Sequence, residues 1–262
     1  MNTDRHSHTT RCWWNAEQAR WVCRPVTDTA ESVVDTVDTM ADDEAPLVDV
    51  RDMIVVHTAM LREFRLLPAA VARVEPGALK RAVVVDRHLG FLCDMLHHHH
   101  AGEDALLWPM MRERVPEQAT RLIDEVESQH VGLDAALDDV AVARAGWRSH
   151  VDAVHRDELV ARLRTLYDLL KAHLELEERS VLPLAAAVLT EAEWAAIGEA
   201  GAAGLPKSTL PLVFGMFAYE GDPAVLQDML KAAPALPRMV IPRIAPRFYA
   251  RRALQVHGTR HP

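Results

Sequence analysis

The sequence predicts an all-α fold, an antiparallel up-down four-helix bundle followed by additional C-terminal helices. Three observations lead there. Apolar residues make up 49% of the 262-residue chain but aromatics only 5%, and Ala, Leu and Val suit helices better than sheets. From Val50 onward apolar residues recur every three or four positions along four long stretches. Short joints separate these stretches, and helices joined by short loops pack as antiparallel neighbours.

Residues 1–48 read as a poorly ordered acidic leader. Its start is polar and basic, and Thr27 to Asp49 is rich in Asp, Glu, Thr and Ser. Such composition offsets little ordering entropy, so at most a weak helix is expected around Ala30–Met40. Residues 49–189 form the bundle. The first helix, about 50–74, carries the stripe Met53, His57, Met60, Phe64 and Leu67, and Pro76-Gly77 ends it. The second, about 78–112, carries Leu89, Leu92, Leu96, His99, Glu103, Leu106 and Met110, and Pro116 closes it. The third, about 117–145, carries Ile123, Val126, His130, Leu133, Leu137 and Val140, before a loop over 146–152. The fourth, about 154–188, carries Leu159, Leu163, Leu166, Leu170, His173, Glu177, Ser180 and Leu184.

Residues 190–262 read as a C-terminal helical extension with a basic tail. Thr190-x-x-Glu193 is a capping box that opens a short helix to about Ala200, broken by Gly201 and Gly204. Short helices follow at about 205–219 and 223–233. In the last segment, about 236–257, Pro237, Pro242 and Pro246 predict a broken helix in its first half.

Six polar residues occupy otherwise apolar stripes: His57, His99, Glu103, His130, His173 and Glu177. The spelling H-x3-E-[DE]-x4-P occurs twice, at His99–Pro109 and at His173–Pro183. Each copy has a lone His upstream, 42 positions before His99 and 43 before His173. An unpaired buried His or Glu costs on the order of several kcal/mol, so six of them must satisfy one another or bind a cation. His-x3-Glu places two ligands one turn apart on one helix face. Imidazole with carboxylate suits iron, manganese or zinc, and suits copper(I) or iron–sulfur clusters poorly. The set is too large for one tetrahedral zinc and matches two octahedral ions with bridging carboxylates.

A competing register on the second helix pairs His100 with Asp104, but it points away from Leu92, Leu96 and Leu106. His97 and His98 are off the stripe. His88, His150, His155, His257 and His261 read as ordinary surface residues. Asp104 and Glu178 read either as acceptors for ligand imidazoles or as solvated groups. Trp108 and Leu182 are expected to pack at the bundle end.

The order His57, His99-x3-Glu103, His130, His173-x3-Glu177 resembles the hemerythrin-like, or HHE cation-binding, domain over about Asp52–Leu189. The resemblance implies an oxo- or hydroxo-bridged pair of iron ions, with manganese or zinc as alternatives, held by those six residues. It implies a small diatomic ligand or peroxide as partner. Two departures stand out. Oxygen-carrying hemerythrins have a second His one turn after the third-helix ligand, where this chain has Asp134. Their last carboxylate is an Asp five residues after the final His, where this chain has Glu177 four residues on. The departures favour sensing, iron handling, or reaction with oxygen, peroxide or nitric oxide over reversible oxygen carriage. The leading expectation is a non-haem di-iron protein that binds or senses such a molecule or handles iron. The alternative is a di-iron enzyme that consumes it, and a third reading is an interaction protein holding one zinc. The sequence names no catalytic base, so binding is preferred over turnover.

A formal charge of -9 argues against a whole-protein nucleic-acid role. Cys12, Cys23 and Cys93 form no CxxC, which fits a reducing compartment. No apolar run approaches the roughly 18–20 residues of a membrane span, and no signal-peptide core is present, so a cytoplasmic protein is expected. The basic tail, with Arg238, Arg243, Arg247, Arg251, Arg252 and Arg260, reads as a lid docked on the acidic bundle. Two lesser readings are a contact for an anionic membrane surface and a contact for another protein or nucleic acid.

Overall fold

The structure is a computed structural model, and it describes residues 12–15, 20–23, 46–231 and 235–262. The weak helix expected at Ala30–Met40, and most of the leader around it, lie outside the described residues. Within that leader, β1 (Cys12–Asn15) pairs antiparallel with β2 (Arg20–Cys23).

Four long helices build the bundle. They are α1 (Arg51–Ala72), α2 (Leu79–Gly102), α3 (Glu117–His150) and α4 (Ala153–Leu176). Each packs on the next, and α4 closes the ring on α1. The α1–α2 and α3–α4 joints meet at one end, where Gly77 N–H donates to the Val151 carbonyl. Gly77 sits at φ 78° and Val151 at φ 47°, the left-handed geometry that reverses each chain. Gly146 does not end α3 as expected. The helix runs on to His150, carried by the buried Trp147, and stops only at Val151.

α2 and α4 do not stop at their nominal ends. Each passes through one π-helical turn, Glu103–Leu107 and Glu177–Val181, into a further α-helical stretch, Trp108–Arg112 and Leu182–Val188. In both turns an N–H bonds a carbonyl five residues back, Trp108 to Glu103 and Leu182 to Glu177. The cause is the proline six residues after each Glu. Pro109 and Pro183 have no N–H for an α-helical bond, and their rings would clash with the carbonyl four residues earlier. A widened turn removes the clash. The extra residue shifts the buried stripe by one. Leu107 and Met111 are fully buried where Leu106 and Met110 were expected, and Val181 replaces Ser180.

The extension comprises α5 (Glu191–Ala203), α6 (Leu210–Phe217), α7 (Pro223–Met229) and α8 (Ala235–His257). The capping box at Thr190 and Glu193 forms as the sequence predicts. The broken helix expected around Pro237, Pro242 and Pro246 is instead continuous. Pro237 lies in the first turn, where its N–H would be unpaired in any case. Pro242 and Pro246 fall on the exposed side, so the carbonyls they leave unpaired face water. The opposite face, Ala245, Tyr249, Ala253 and Val256, is buried. That face packs against α6, where a Cβ on Gly215 would lie 2.3 Å from the Ala245 carbonyl oxygen, so only glycine permits the approach. No helix among the described residues is long and apolar enough to cross a membrane.

Candidate metal centre

The bundle has two apolar cores with a polar layer between them. One core holds Met60, Phe64, Leu96, Leu133 and Leu170, and the other holds Met53, Leu107, Trp108, Val126 and Val181. His57 from α1, His99 at the end of α2, Glu103, His130 from α3, His173 from α4 and Glu177 all lie in the layer between, and all are buried. The structure thus brings together the six residues named from the sequence.

It adds a seventh. His100 is buried, with its ring stacked on His130 at 4.2 Å between centroids and edge-on to His173 at 5.2 Å. It does not pair with Asp104, as the competing register required. The side chains that could hold a metal ion form two adjoining groups: His57, His99, Glu103 and Glu177, and His100, Glu103, His130 and His173. Glu103 belongs to both. Its Oε1 lies 3.1 Å from His99 Nε2 and its Oε2 lies 3.5 Å from His130 Nε2, so the carboxylate spans the two groups. Glu177 Oε2 is 3.6 Å from His57 Nε2 and 3.8 Å from His173 Nε2, and spans them from the other side. Asp134 is exposed and takes no part.

The far side of three of the imidazoles is held. His57 Nδ1 is 3.0 Å from Glu178 Oε1, His130 Nδ1 is 2.7 Å from Asp104 Oδ1, and His173 Nδ1 is 3.2 Å from Gln129 Oε1. Asp104 also accepts from the Trp108 indole at 3.0 Å. The acidic residue after each glutamate therefore braces a histidine on another helix. With Nδ1–H donating outward, Nε2 of each of these three presents a lone pair inward. The Nε2 atoms lie close together: those of His57 and His99 are 3.1 Å apart, those of His130 and His173 3.2 Å apart. Two nitrogens on one ion, each ~2.1 Å from it, would be about 3 Å apart at right angles.

Burial depresses the basicity of His57, His99, His100 and His173, holding them neutral as ligands must be. Burial, then Glu177 and Asp104, pushes Glu103 well above the usual carboxylate range. Burial also pushes Glu177 up to about 7, against the pull of His57. Both oxygens of Glu103, both of Glu177 and both nitrogens of His100 are buried without a hydrogen-bond partner. Leaving so many polar atoms unpaired in an apolar core is untenable without a cation to receive them, so the residues fit a metal pair.

Sequence reasoning named His100 only in the competing register and set it aside because it is one position off the apolar stripe. The signal was there: at a helix face that must feed two ions, adjacent residues can serve one each. His88 and His257, assigned to the surface, are also buried.

Comparison with known families matches residues 48–185 to the hemerythrin HHE cation-binding domain. Comparisons with curated proteins and with solved structures gave no match.

Proposed function

The chain belongs to the hemerythrin HHE cation-binding family, and from that premise we propose that its bundle holds two iron ions and binds or senses oxygen, nitric oxide or peroxide. One observation carries the reading: Glu103 directs one oxygen at each of two converging imidazole groups. In this reading His57 and His99 would hold one ion, and His100, His130 and His173 the other, with Glu103 and Glu177 shared between them. Five imidazoles and two carboxylates are fewer donors than two six-coordinate ions take, so exogenous oxygen ligands would complete the set. A ferrous pair in this place supplies electrons and open coordination positions to a small ligand.

The chain's own residues do the rest. Glu178, Asp104 and Gln129 hold His57, His130 and His173 in the tautomer that points Nε2 inward. The apolar layers above and below, with Trp108, Leu107 and Val126 on one side and Leu96, Leu133 and Leu170 on the other, exclude water. They favour a small neutral ligand over a charged substrate. The fifth imidazole, absent at Asp134, is made up in number by His100 from α2, so the centre is not short of nitrogen donors. Asp134 therefore does not weigh against reversible binding. That supports binding or sensing over consumption.

The test is magnetic. Iron-57-loaded protein should give the Mössbauer signature of an exchange-coupled pair, and Glu103→Ala should lower the iron bound per chain. Two uncoupled ions, or one zinc per bundle, would end the di-iron reading. Stable, reversible absorption changes with oxygen or nitric oxide would separate binding from turnover.

A further inference from the structure

Away from the centre, Glu63, His88 and His257 form a second buried cluster. We propose that it is a separate site for one divalent first-row transition-metal ion, which fastens the C-terminal helix to the bundle. At ~1.5 Å per residue, Glu63 is about 9 Å along α1 from His57, and His88 is about 16 Å along α2 from His99. The ligands come from three helices: Glu63 from α1, His88 from α2, and His257 from the last position of α8.

The carboxylate is set for monodentate binding. Glu63 Oε1 accepts from the Tyr249 hydroxyl at 2.6 Å and faces Arg62 Nε at 3.3 Å. Its Oε2 is turned to the two imidazoles, 2.9 Å from His88 Nε2 and 3.5 Å from His257 Nε2. The rings stand at 82° with centroids 5.9 Å apart, so both Nε2 atoms approach one point from different directions. Burial alone would raise the Glu63 carboxyl. His257, His88 and Arg62 outweigh it and hold the group well below its usual range, ionised and ready to bind. His257 keeps both nitrogens, and His88 its Nδ1, buried without a hydrogen-bond partner. A hydrogen-bonded Glu63–His88 pair accounts for neither nitrogen of His257. A metal ion on the two Nε2 atoms and Oε2 accounts for its Nε2 and leaves a fourth position for water.

The end of α8 is aimed at this point. The Arg81 guanidinium donates to the carbonyls of Gln255 and Val256, and Arg73 Nη2 donates to the His257 carbonyl at 3.3 Å. These bonds fix the last turn of α8 over His88. The role assigned to the cluster does not rest on the iron pair.

The experiment uses the full chain, stripped by chelation and reloaded with zinc or with cobalt(II) as its spectroscopic substitute. Elemental analysis after desalting should find one ion fewer per chain in His257→Ala and in His88→Ala than in the native sequence. His99→Ala and His130→Ala should lose ions from the bundle and keep this one. If the bundle holds no metal, the native chain still binds one ion that His257→Ala lacks, so the two failures are distinguishable. His257→Asp retains a ligand and should retain the ion, which guards against loss through misfolding. Zinc should also slow tryptic cleavage after Arg247 and Arg251 in the native chain but not in His257→Ala. Equal stoichiometry in native and His257→Ala protein, with equal protection by zinc, would overturn the site.

Discussion

Asp104 and Glu178 decide how the buried imidazoles present themselves, and they do so from different environments. Asp104 is exposed, so removing it opens no cavity in the core. Asp104→Ala would nonetheless free His130 Nδ1 and the ring would lose its fixed tautomer. Loss of such a brace lowers metal affinity by roughly 10–100-fold. Competition against a chelator measures this, and an unchanged affinity would sink the bracing role. The buried glutamates give a pH prediction. Glu177, held up to about 7, is protonated in the metal-free protein at pH 6, and Glu103 is shifted in the same direction. Loading metal must expel those protons, while the depressed histidines are already neutral and release none. Calorimetry in buffers of different ionisation enthalpy should therefore find more protons released at pH 6 than at pH 8.5. The linkage to stability has a definite sign. A raised carboxyl stabilises the metal-free fold at low pH and loses that contribution as pH rises through about 7. The depressed histidines act oppositely, stabilising above the ordinary imidazole value of 6.5 and failing as pH falls. As Glu177→Gln cannot ionise, the melting temperature of the metal-free variant should fall less, or rise more, between pH 5 and pH 8 than that of the native sequence.

At the scale of the element, proline and π turn are matched parts. The stripes of α1 and α3, and those of α2 and α4 up to the glutamates, are legible in the sequence because a constant 3.6-residue period holds there. Beyond Glu103 and Glu177 the period slips by one residue, and a reading that extends it picks Leu106, Met110 and Ser180. The clue was Pro109 and Pro183, which cannot sit inside an undisturbed α-helix. Deleting Ala105, an exposed residue of the first π turn, would restore the α period and keep Leu107, Trp108 and Met111 facing inward. Pro109 would then stand in an α-helical interior. Urea denaturation should show a loss of about 3 kcal/mol or more. Adding Pro109→Ala to the deletion should restore most of it. Equal stability of the deletion with and without the proline would refute the matching. The same logic explains why the sequence reading treated His99 and His100 as rivals. Periodicity finds one residue per turn, whereas a helix that feeds two ions needs neighbours.

For the whole molecule, the question is what joins the extension to the bundle, and here the sequence was least informative. Arg62 lies in the first helix next to the stripe and carries no motif, yet it is fully buried. Its guanidinium donates to Glu220 at 2.9 Å, to the Met216 carbonyl at 2.9 Å and to the Tyr249 hydroxyl at 3.1 Å. The rings of Tyr219 and Tyr249 flank it at 4.8 and 5.0 Å. One side chain from α1 thus reaches α6, the turn after it, and α8. Tertiary partners more than 150 positions away leave no local trace, so neither this node nor the burial of His257 could be read from spacing. Burial opposes the charge of Arg62, and Glu63 and Glu220 restore it. Removing one member of such a network strands the others, and the typical cost is about 3–5 kcal/mol. Arg62→Met should therefore destabilise the protein strongly, whereas Arg162→Met, at an exposed ion pair with Asp139, should change little. Because Arg62 grips the extension, the damage should also be local. Hydrogen exchange should rise first in α6 and α8, while the α3–α4 pair stays protected. Uniform loss of protection across α1–α8 would mean that bundle and extension unfold as one unit, with Arg62 merely one core contact among many.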